Sequence, residues 1–168
     1  FGASATDKHY EDDWDKTPPS QEVFTEILRV SKLAIIFGGQ FFTGLLPVGQ
    51  HWVVWDKVGS IAFDNPFGDC ELAWTNVARK SVKKYTVIQQ GFVSKEKTRW
   101  HPTQKPVELF SDLLRDYLED DGLVLDPFLG SGTTAVAAKQ LGRKYIGIEL
   151  SEKYCEIANQ RLRQDILL

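Results

Sequence analysis

The sequence contains no methionine, only two cysteines and three histidines, and no long apolar run. A helix needs about 20 apolar residues to cross a bilayer, so no membrane span is expected. Cys70 and Cys155 form no spacing pattern, and a reduced, cytoplasmic-type chain is the expectation. His9, His51 and His101 lack ligand spacing, so no metal site is expected. The polar N-terminus has no signal-peptide layout, and there are no repeats or low-complexity segments. With Phe1 in first place and no methionine anywhere, the sequence reads as an internal fragment, or as one from which methionine positions have dropped out.

What is present fits a globular chain. The 168 residues suffice for one domain with a single core, and residues 1–168 are expected to form one. Hydrophobic residues make up 42% and charged residues 26%, which is ordinary for a folded chain in water. The formal net charge is −3, so any contact with nucleic acid must come from a local basic surface. The region 79–99 offers one: Arg79, Lys80, Lys83 and Lys84, then Lys95, Lys97 and Arg99. It is expected to be loop, with residues 91–101 exposed.

Residues 1–19 are polar, with Glu11, Asp12, Asp13 and Asp15 around Trp14, and read as a surface loop. Pro18-Pro19 blocks helix before Ser20, which becomes the N-cap of a helix to about Val30. Leu33–Phe37, closed by Gly38-Gly39, suits a buried parallel strand. Strands are also expected at Gln50–Asp56, Cys70–Thr75 and Tyr85–Gln89. The stretch His101–Pro106 leads into a helix with Phe110, Leu113, Leu114, Tyr117 and Leu118 on its apolar stripe. Asp120-Asp121-Gly122 ends it, with Gly122 as a left-handed cap. Then come strand 123–126, helix 133–141, strand 144–148 and helix 152–163, the last burying Tyr154, Ile157, Ala158 and Leu162. Gly142 closes the helix at 133–141. This alternation predicts an α/β fold: an open, mostly parallel, doubly wound sheet with helices on both faces.

In such sheets ligands sit beyond the carboxyl ends of the strands. Asp126-Pro-Phe-Leu-Gly-Ser-Gly-Thr-Thr134 lies at one such end. Gly130 and Gly132 allow a tight turn and close approach of the backbone to a ligand. Thr133 and Thr134 begin a helix whose free N–H groups favour an anion. Glu149 ends the next strand, 19 residues after Gly130, where an acid can accept hydrogen bonds from ribose hydroxyls. A P-loop is ruled out because Thr133, not lysine, follows Gly132. A dinucleotide site remains open, since Ala135 satisfies its third small position.

His101-Pro-Thr-Gln-Lys-Pro106 followed by Asp126-Pro-Phe-Leu-Gly-Ser-Gly-Thr-Thr134 resembles the β-class DNA amino-methyltransferases. Those enzymes transfer methyl from S-adenosylmethionine to adenine N6 or cytosine N4. The resemblance extends over Trp14-Asp15-Lys16, the helix at 20–30, Ile35–Gly39, Trp52–Lys57 and Glu71–Trp74. It implies a Rossmann-like methyltransferase fold with S-adenosylmethionine as cofactor and double-stranded DNA as substrate. His101, Thr103, Gln104 and Lys105 are then expected to hold the methionine part of the cofactor. Asp126, Phe128, Gly130, Ser131, Gly132, Thr133 and Thr134 are expected to wrap around it, with Glu149 on the ribose.

The family carries its chemistry on an Asp/Asn/Ser-Pro-Pro-aromatic segment, and none occurs here. Pro18-Pro19, between Thr17 and Ser20, does not fit it, so no catalytic residue is assigned. The expectation is that the protein continues upstream of Phe1, with that segment and further strands there; without them the sheet keeps apolar edges. The alternative is an inactive relative that binds S-adenosylmethionine. Adenine N6 is the expected target, with cytosine N4 as the variant. No large target-recognition domain fits between the strands, so a separate partner or a homodimer is the candidate source of specificity. Methylation of RNA or of a small molecule, and a nicotinamide oxidoreductase, are the remaining readings.

Overall fold

The computed structural model describes residues 18–60, 68–89, 98–101 and 103–164. The expectations placed on Trp14, Asp15, Lys16 and the surrounding acids, and on Lys95 and Lys97, lie outside these residues.

Helix α1, Gln21–Val30, begins directly after Pro18-Pro19 with Ser20 at its N-cap position. The chain then forms strand β1, Ile35–Phe37, a short 3-10 turn, and strands β2, His51–Asp56, β3, Cys70–Thr75, and β4, Ser81–Thr86. Their order is β1-β3-β2-β4. Side chains alternate across a strand, and in β2 both faces find apolar cover. Val53 and Trp55 pack with Ala73, Tyr85 and Val87 against Leu109 and Leu113 of helix α2, Val107–Tyr117. On the other face Trp52 and Trp74 pack with Phe24 of α1, Ala34 and Leu46. The four-stranded sheet is thus covered by α2 on one side and α1 on the other.

A second sheet has two parallel strands, β5, Leu123–Asp126, and β6, Lys144–Gly147. Two strands alone are marginal in water and need a helix against them. Helix α3, Thr133–Gln140, supplies it, packing on both strands, on α2 and on α4, Glu152–Arg163. Its Ala135, Ala137 and Ala138 are buried, and their small side chains allow several neighbours to lie close. Leu123, Leu125, Tyr145 and Ile146 of this sheet are exposed.

The α/β layering expected from the alternation is present, as a partial sheet, with four differences in detail. β1 pairs antiparallel with β3, not parallel, and so does β2. The parallel pairs are β2–β4 and β5–β6. β1 is also half-buried at the sheet edge rather than buried as expected, and a short apolar run carries no record of strand direction, so the direction of β1 cannot be read from its residues. The fourth strand lies at 81–86 rather than 85–89, so Lys83 and Lys84 stand on a strand and not in a loop. β4 is an edge of its sheet, where lysines are favoured because they block further pairing. Gly122 is not left-handed: α2 ends at Leu118 in extended backbone. A Cβ there would lie 2.4 Å from Leu118 Cδ1, so any larger residue needs the Leu118 side chain to move. Gly142 is left-handed, as expected at the end of α3.

Two buried polar groups fasten the first sheet. The His51 ring faces the Ser81 carbonyl through Nδ1 at 2.7 Å and the Tyr117 hydroxyl through Nε2 at 2.7 Å. A carbonyl only accepts, so Nδ1 donates and Nε2 accepts from the phenol of Tyr117. His51 is therefore a strut between β2, β4 and α2. Asp56, at the carboxyl end of β2, accepts from the Gly59 N–H at 2.7 Å, the Val58 N–H at 3.1 Å, Lys84 Nζ at 3.1 Å and Thr86 Oγ1 at 3.2 Å. The Gly59 amide foremost, then Lys84, hold its carboxyl down to about 2.

Candidate functional site

The carboxyl ends of β5 and β6 lie side by side, and the chain after each continues the pairing. Ile148 N–H donates to the Asp126 carbonyl, and Leu129 N–H to the Ile148 carbonyl, both at 2.9 Å. The loop at 126–132 is thereby laced to the end of β6. Gly130 and Gly132 turn it with φ of 54° and 85°, in the region where side chains are strained. Gly132 is the N-cap of α3.

Glu149 closes the ring. Its Oε2 accepts the Gly130 N–H at 2.7 Å and its Oε1 the Ser151 N–H at 2.8 Å. The carboxylate expected on a ribose is thus set by two backbone donors, and each oxygen keeps a second lone pair.

His101 lies over the same loop. Its ring stacks at 4.4 Å, tilted, on Tyr154 of α4, and a Cβ on Gly130 would stand 3.6 Å from its Cδ2. The Thr103 N–H donates to His101 Nδ1 at 3.2 Å. That bond makes Nδ1 the acceptor and places the proton of the neutral ring on Nε2. Burial holds this imidazole below its ordinary value, against the pull of Glu149.

Gln104 is buried and ties the two segments together. Its Oε1 accepts from the Trp100 N–H at 2.9 Å and the Ser131 hydroxyl at 3.1 Å, and its carbonyl accepts from Gln89 Nε2 at 2.8 Å. Ser131, Thr133 and Thr134 are buried as well. Burial raises the Asp126 carboxyl, against hydrogen bonds from Thr134 and from the Phe128 N–H, the latter at 3.0 Å. Phe128 is 58% exposed, so it is not a core aromatic.

Most of the residues singled out in the sequence therefore converge: His101, Thr103, Gln104, Asp126, Gly130, Ser131, Thr133, Thr134 and Glu149 share one hydrogen-bonded region. Lys105 is engaged toward the first sheet. Its Nζ lies 3.3 Å from the Glu71 carboxylate and 4.9 Å from the centre of the Phe37 ring. Gly132 faces inward: a Cβ there would lie 2.8 Å from Ala158 Cβ of α4. Its smallness serves the contact of α3 with α4.

Two participants are not evident from the motifs. Tyr154 supplies the ring under His101. Arg161 of α4 donates through one guanidinium nitrogen to the Ser131 carbonyl at 2.7 Å, to Ser131 Oγ at 3.0 Å and to Thr133 Oγ1 at 3.2 Å. The sequence does carry a signal for them. Tyr154, Ala158 and Arg161 fall at i, i+4 and i+7, so an arginine continues a buried helical stripe.

The basic segment is dispersed. Lys83 pairs with Asp116, which also accepts from the Tyr85 hydroxyl. Burial, with Asp116 beside it, pushes the Tyr85 phenol well up. Lys84 pairs with Asp56. Arg79, Lys80 and Arg99 are exposed. No group of three or more metal-ligating side chains, and no helix long and apolar enough to cross a membrane, occurs among the described residues.

A family model described as DNA methylase (N6/N4) matches residues 4–160. The chain belongs to this DNA methylase family. Methylase relatives include the type II methyltransferase M2.LlaDCHI of Lactococcus lactis subsp. cremoris, 40% identical over 85 residues, which is 49% of this chain and 32% of that protein. The type II methyltransferase M2.DpnII of Streptococcus pneumoniae is 40% identical over 86 residues, again 49% of this chain and 32% of the relative. The matched segment thus spans about a third of these curated relatives' length. Among solved structures, the M1.HpyAVI–SAM complex superposes with a TM-score of 0.64 at 24% identity, covering 87% of this chain and 86% of the other. The cytosine-N4-specific PvuII DNA methyltransferase superposes at 0.55 and 18% identity, covering 92% and 62%. Both share the methyltransferase fold with this methylase chain.

Proposed function

We propose that the chain is the cofactor-holding part of an S-adenosylmethionine-dependent DNA methyltransferase acting on an exocyclic amine. The observation that carries the reading is the Glu149 carboxylate, which closes a ring with the Gly130 and Ser151 N–H groups at adjacent strand ends beside His101. The residues suit the cofactor. A left-handed glycine turns the loop under His101, the Glu149 carboxylate has lone pairs that could accept ribose hydroxyls, and the N-terminus of α3 favours a carboxylate. When bound, S-adenosylmethionine supplies an electrophilic methyl group.

The residues of the chain orient this donor, which is a proximity effect. Glu149 would hold the ribose and the 130–134 loop the amino-acid end, with the exposed Phe128 ring beside them. His101, neutral with its Nδ1 held by Thr103, would border the site without adding charge. Lys105 acts from one side, positioned by Glu71.

Double-stranded DNA is the substrate we assign, with the target base turned out of the stack. Arg79, Lys80 and Arg99 provide exposed positive charge for phosphates. Adenine N6 is the amine we assign, on the resemblance of the two sequence motifs. Cytosine N4 is the second reading, because an enzyme of that specificity shares the fold.

The test is methyl transfer by the full-length protein from labelled S-adenosylmethionine to unmethylated duplex DNA, with mass analysis of the released nucleosides. N6-methyladenine is expected. N4-methylcytosine alone overturns the choice of amine, and no methylated base overturns the function.

A further inference from the structure

The start of α4 meets the candidate site at three places. The Ser151 N–H, at the N-cap, donates to Glu149 Oε1 at 2.8 Å. The Tyr154 ring lies against the His101 ring, with centroids 4.4 Å apart and planes at 54°. Ala158 packs so close to the loop that a Cβ on Gly132 would stand 2.8 Å from its own. Tyr154 and Ala158 are four residues apart and so share one face of the helix. Both are buried, Tyr154 to 2% exposure.

The contact with Tyr154 has a mechanical consequence for His101. The second side-chain torsion of a histidine is broad, so the backbone does not set the plane of the ring. The Thr103 N–H and hydroxyl, 3.2 and 3.1 Å from Nδ1, hold one edge of the imidazole. Hydrogen bonds at one atom restrain position more than tilt. A tilted aromatic pair restrains the tilt, and such pairs contribute beyond the area they bury. Gly130 lies against the same imidazole, so the tilt of the ring and the shape of the loop are coupled. Tyr154 is itself a firm support, because it is buried in a helix packed on α3.

We propose that Tyr154 is a positioning residue: from α4 it sets the plane of the His101 imidazole over the 130–134 loop, and through it the affinity of the site for its ligand. This inference rests on the reading that the loop and His101 border S-adenosylmethionine. Tyr154 acts through His101, so its effect vanishes when the imidazole is absent.

The experiment is a double-mutant cycle on S-adenosylmethionine affinity, measured by calorimetry in the full-length protein. Its corners are wild type, Tyr154→Leu, His101→Ala and the double variant, with Tyr154→Phe added because it keeps the ring. Thermal denaturation checks that each is folded. Tyr154→Leu is expected to weaken the cofactor by about tenfold in the wild-type background and by less than about threefold in the His101→Ala background, since residues in contact are not additive. Tyr154→Phe is expected to bind within about threefold of wild type. NMR adds a signature: cross-relaxation between the ring protons of His101 and Tyr154, present with and without cofactor and kept between His101 and the new ring in Tyr154→Phe. Equal weakening by Tyr154→Leu in both backgrounds means a merely structural role and overturns the proposal. So does unchanged affinity in folded Tyr154→Leu or His101→Ala, and so does a Tyr154→Phe as weak as Tyr154→Leu. Should Tyr154→Leu fail to fold, or His101→Ala bind too weakly to measure, the wild type decides: separation of the two rings at saturating cofactor overturns the proposal, and their continued contact, with Tyr154→Phe near wild type, supports it. A wild type that does not bind S-adenosylmethionine overturns the proposed function itself, whereas a binding wild type with additive variants overturns this inference alone.

Discussion

Glu149 accepts the backbone N–H of Gly130 at 2.7 Å, a bond that joins the end of β6 to the turn after β5. One residue is fixed by its need for positive φ and the other by its charge, and each holds the other in place. The loop is thus shaped by the same carboxylate that is assigned to the ligand. Removal of either partner should disturb both loop and binding, though to different degrees.

The two loop glycines should separate cleanly. At Gly130 a Cβ meets only ordinary contact with His101, so Gly130→Ala is expected to fold, losing about 1–2 kcal/mol from left-handed strain. At Gly132 the Cβ would press within 2.8 Å of Ala158 Cβ, so Gly132→Ala adds overpacking of roughly 1–3 kcal/mol to the same strain. Chemical denaturation checks the order. Equal losses in the two variants would contradict the packing of α3 on α4.

Asp56 should carry a measurable share of stability. Its carboxyl lies near 2 when folded against an ordinary 3.8, so the unfolded chain binds more protons between these values. The stabilisation is complete above pH 3.8 and is lost as pH falls through about 2. The shift corresponds to about 2 kcal/mol at neutral pH. Asp56→Asn is expected to lose roughly that amount at pH 7. Urea denaturation that shows no difference between variant and wild type at pH 7 would remove Asp56 from its place as the hub at the end of β2.

The His101 ring is governed by burial rather than by hydrogen bonds to its charged form. Burial lowers its pKa below 6.5, so the folded protein holds fewer protons than the unfolded chain as pH falls. Its contribution is present above pH 6.5 and declines as pH drops below it. Imidazole resonances followed by NMR should give a His101 midpoint below 6.5 in the folded protein. A midpoint above that value would mean that Glu149, rather than burial, governs the ring.

The dispersed basic residues predict unequal effects on DNA. Removing one phosphate-binding cation flattens the dependence of log K on log salt by about 0.9. Arg79→Ala, Lys80→Ala and Arg99→Ala are each expected to do so. Lys83→Ala is expected to leave the slope unchanged, since Asp116 already engages that ammonium. Fluorescence anisotropy with duplex DNA over a salt series distinguishes them; a flattened slope for Lys83→Ala would place β4 against the phosphates.

Much of this fold and site is legible in the sequence, for identifiable reasons. Strand ends, glycine turns and helix starts are local, so β5, α3, β6 and α4 fall within about a residue of their expected bounds. Glu149 can be named because its spacing from Gly130 is fixed by one βαβ unit. Strand direction is not legible, because the apolar run of β1 reads the same both ways. Nor is the position of β4, whose lysines resemble a loop until pairing with β2 makes it an edge strand. The engagements of Lys105 with Glu71 and of Arg161 with Ser131 join residues 34 and 30 positions apart, and local periodicity does not report partners at such distances.

The most direct test of the central claim is the affinity of the full-length protein for S-adenosylmethionine in wild type and in Glu149→Gln. Glutamine keeps one acceptor oxygen but turns an amide NH2 toward the second donor, so the ring of Gly130, Glu149 and Ser151 cannot close. Wild type is predicted to bind the cofactor, and Glu149→Gln to bind it at least about tenfold more weakly with the fold retained. Equal affinity in the two folded proteins would contradict the assignment of Glu149 and its loop to the cofactor.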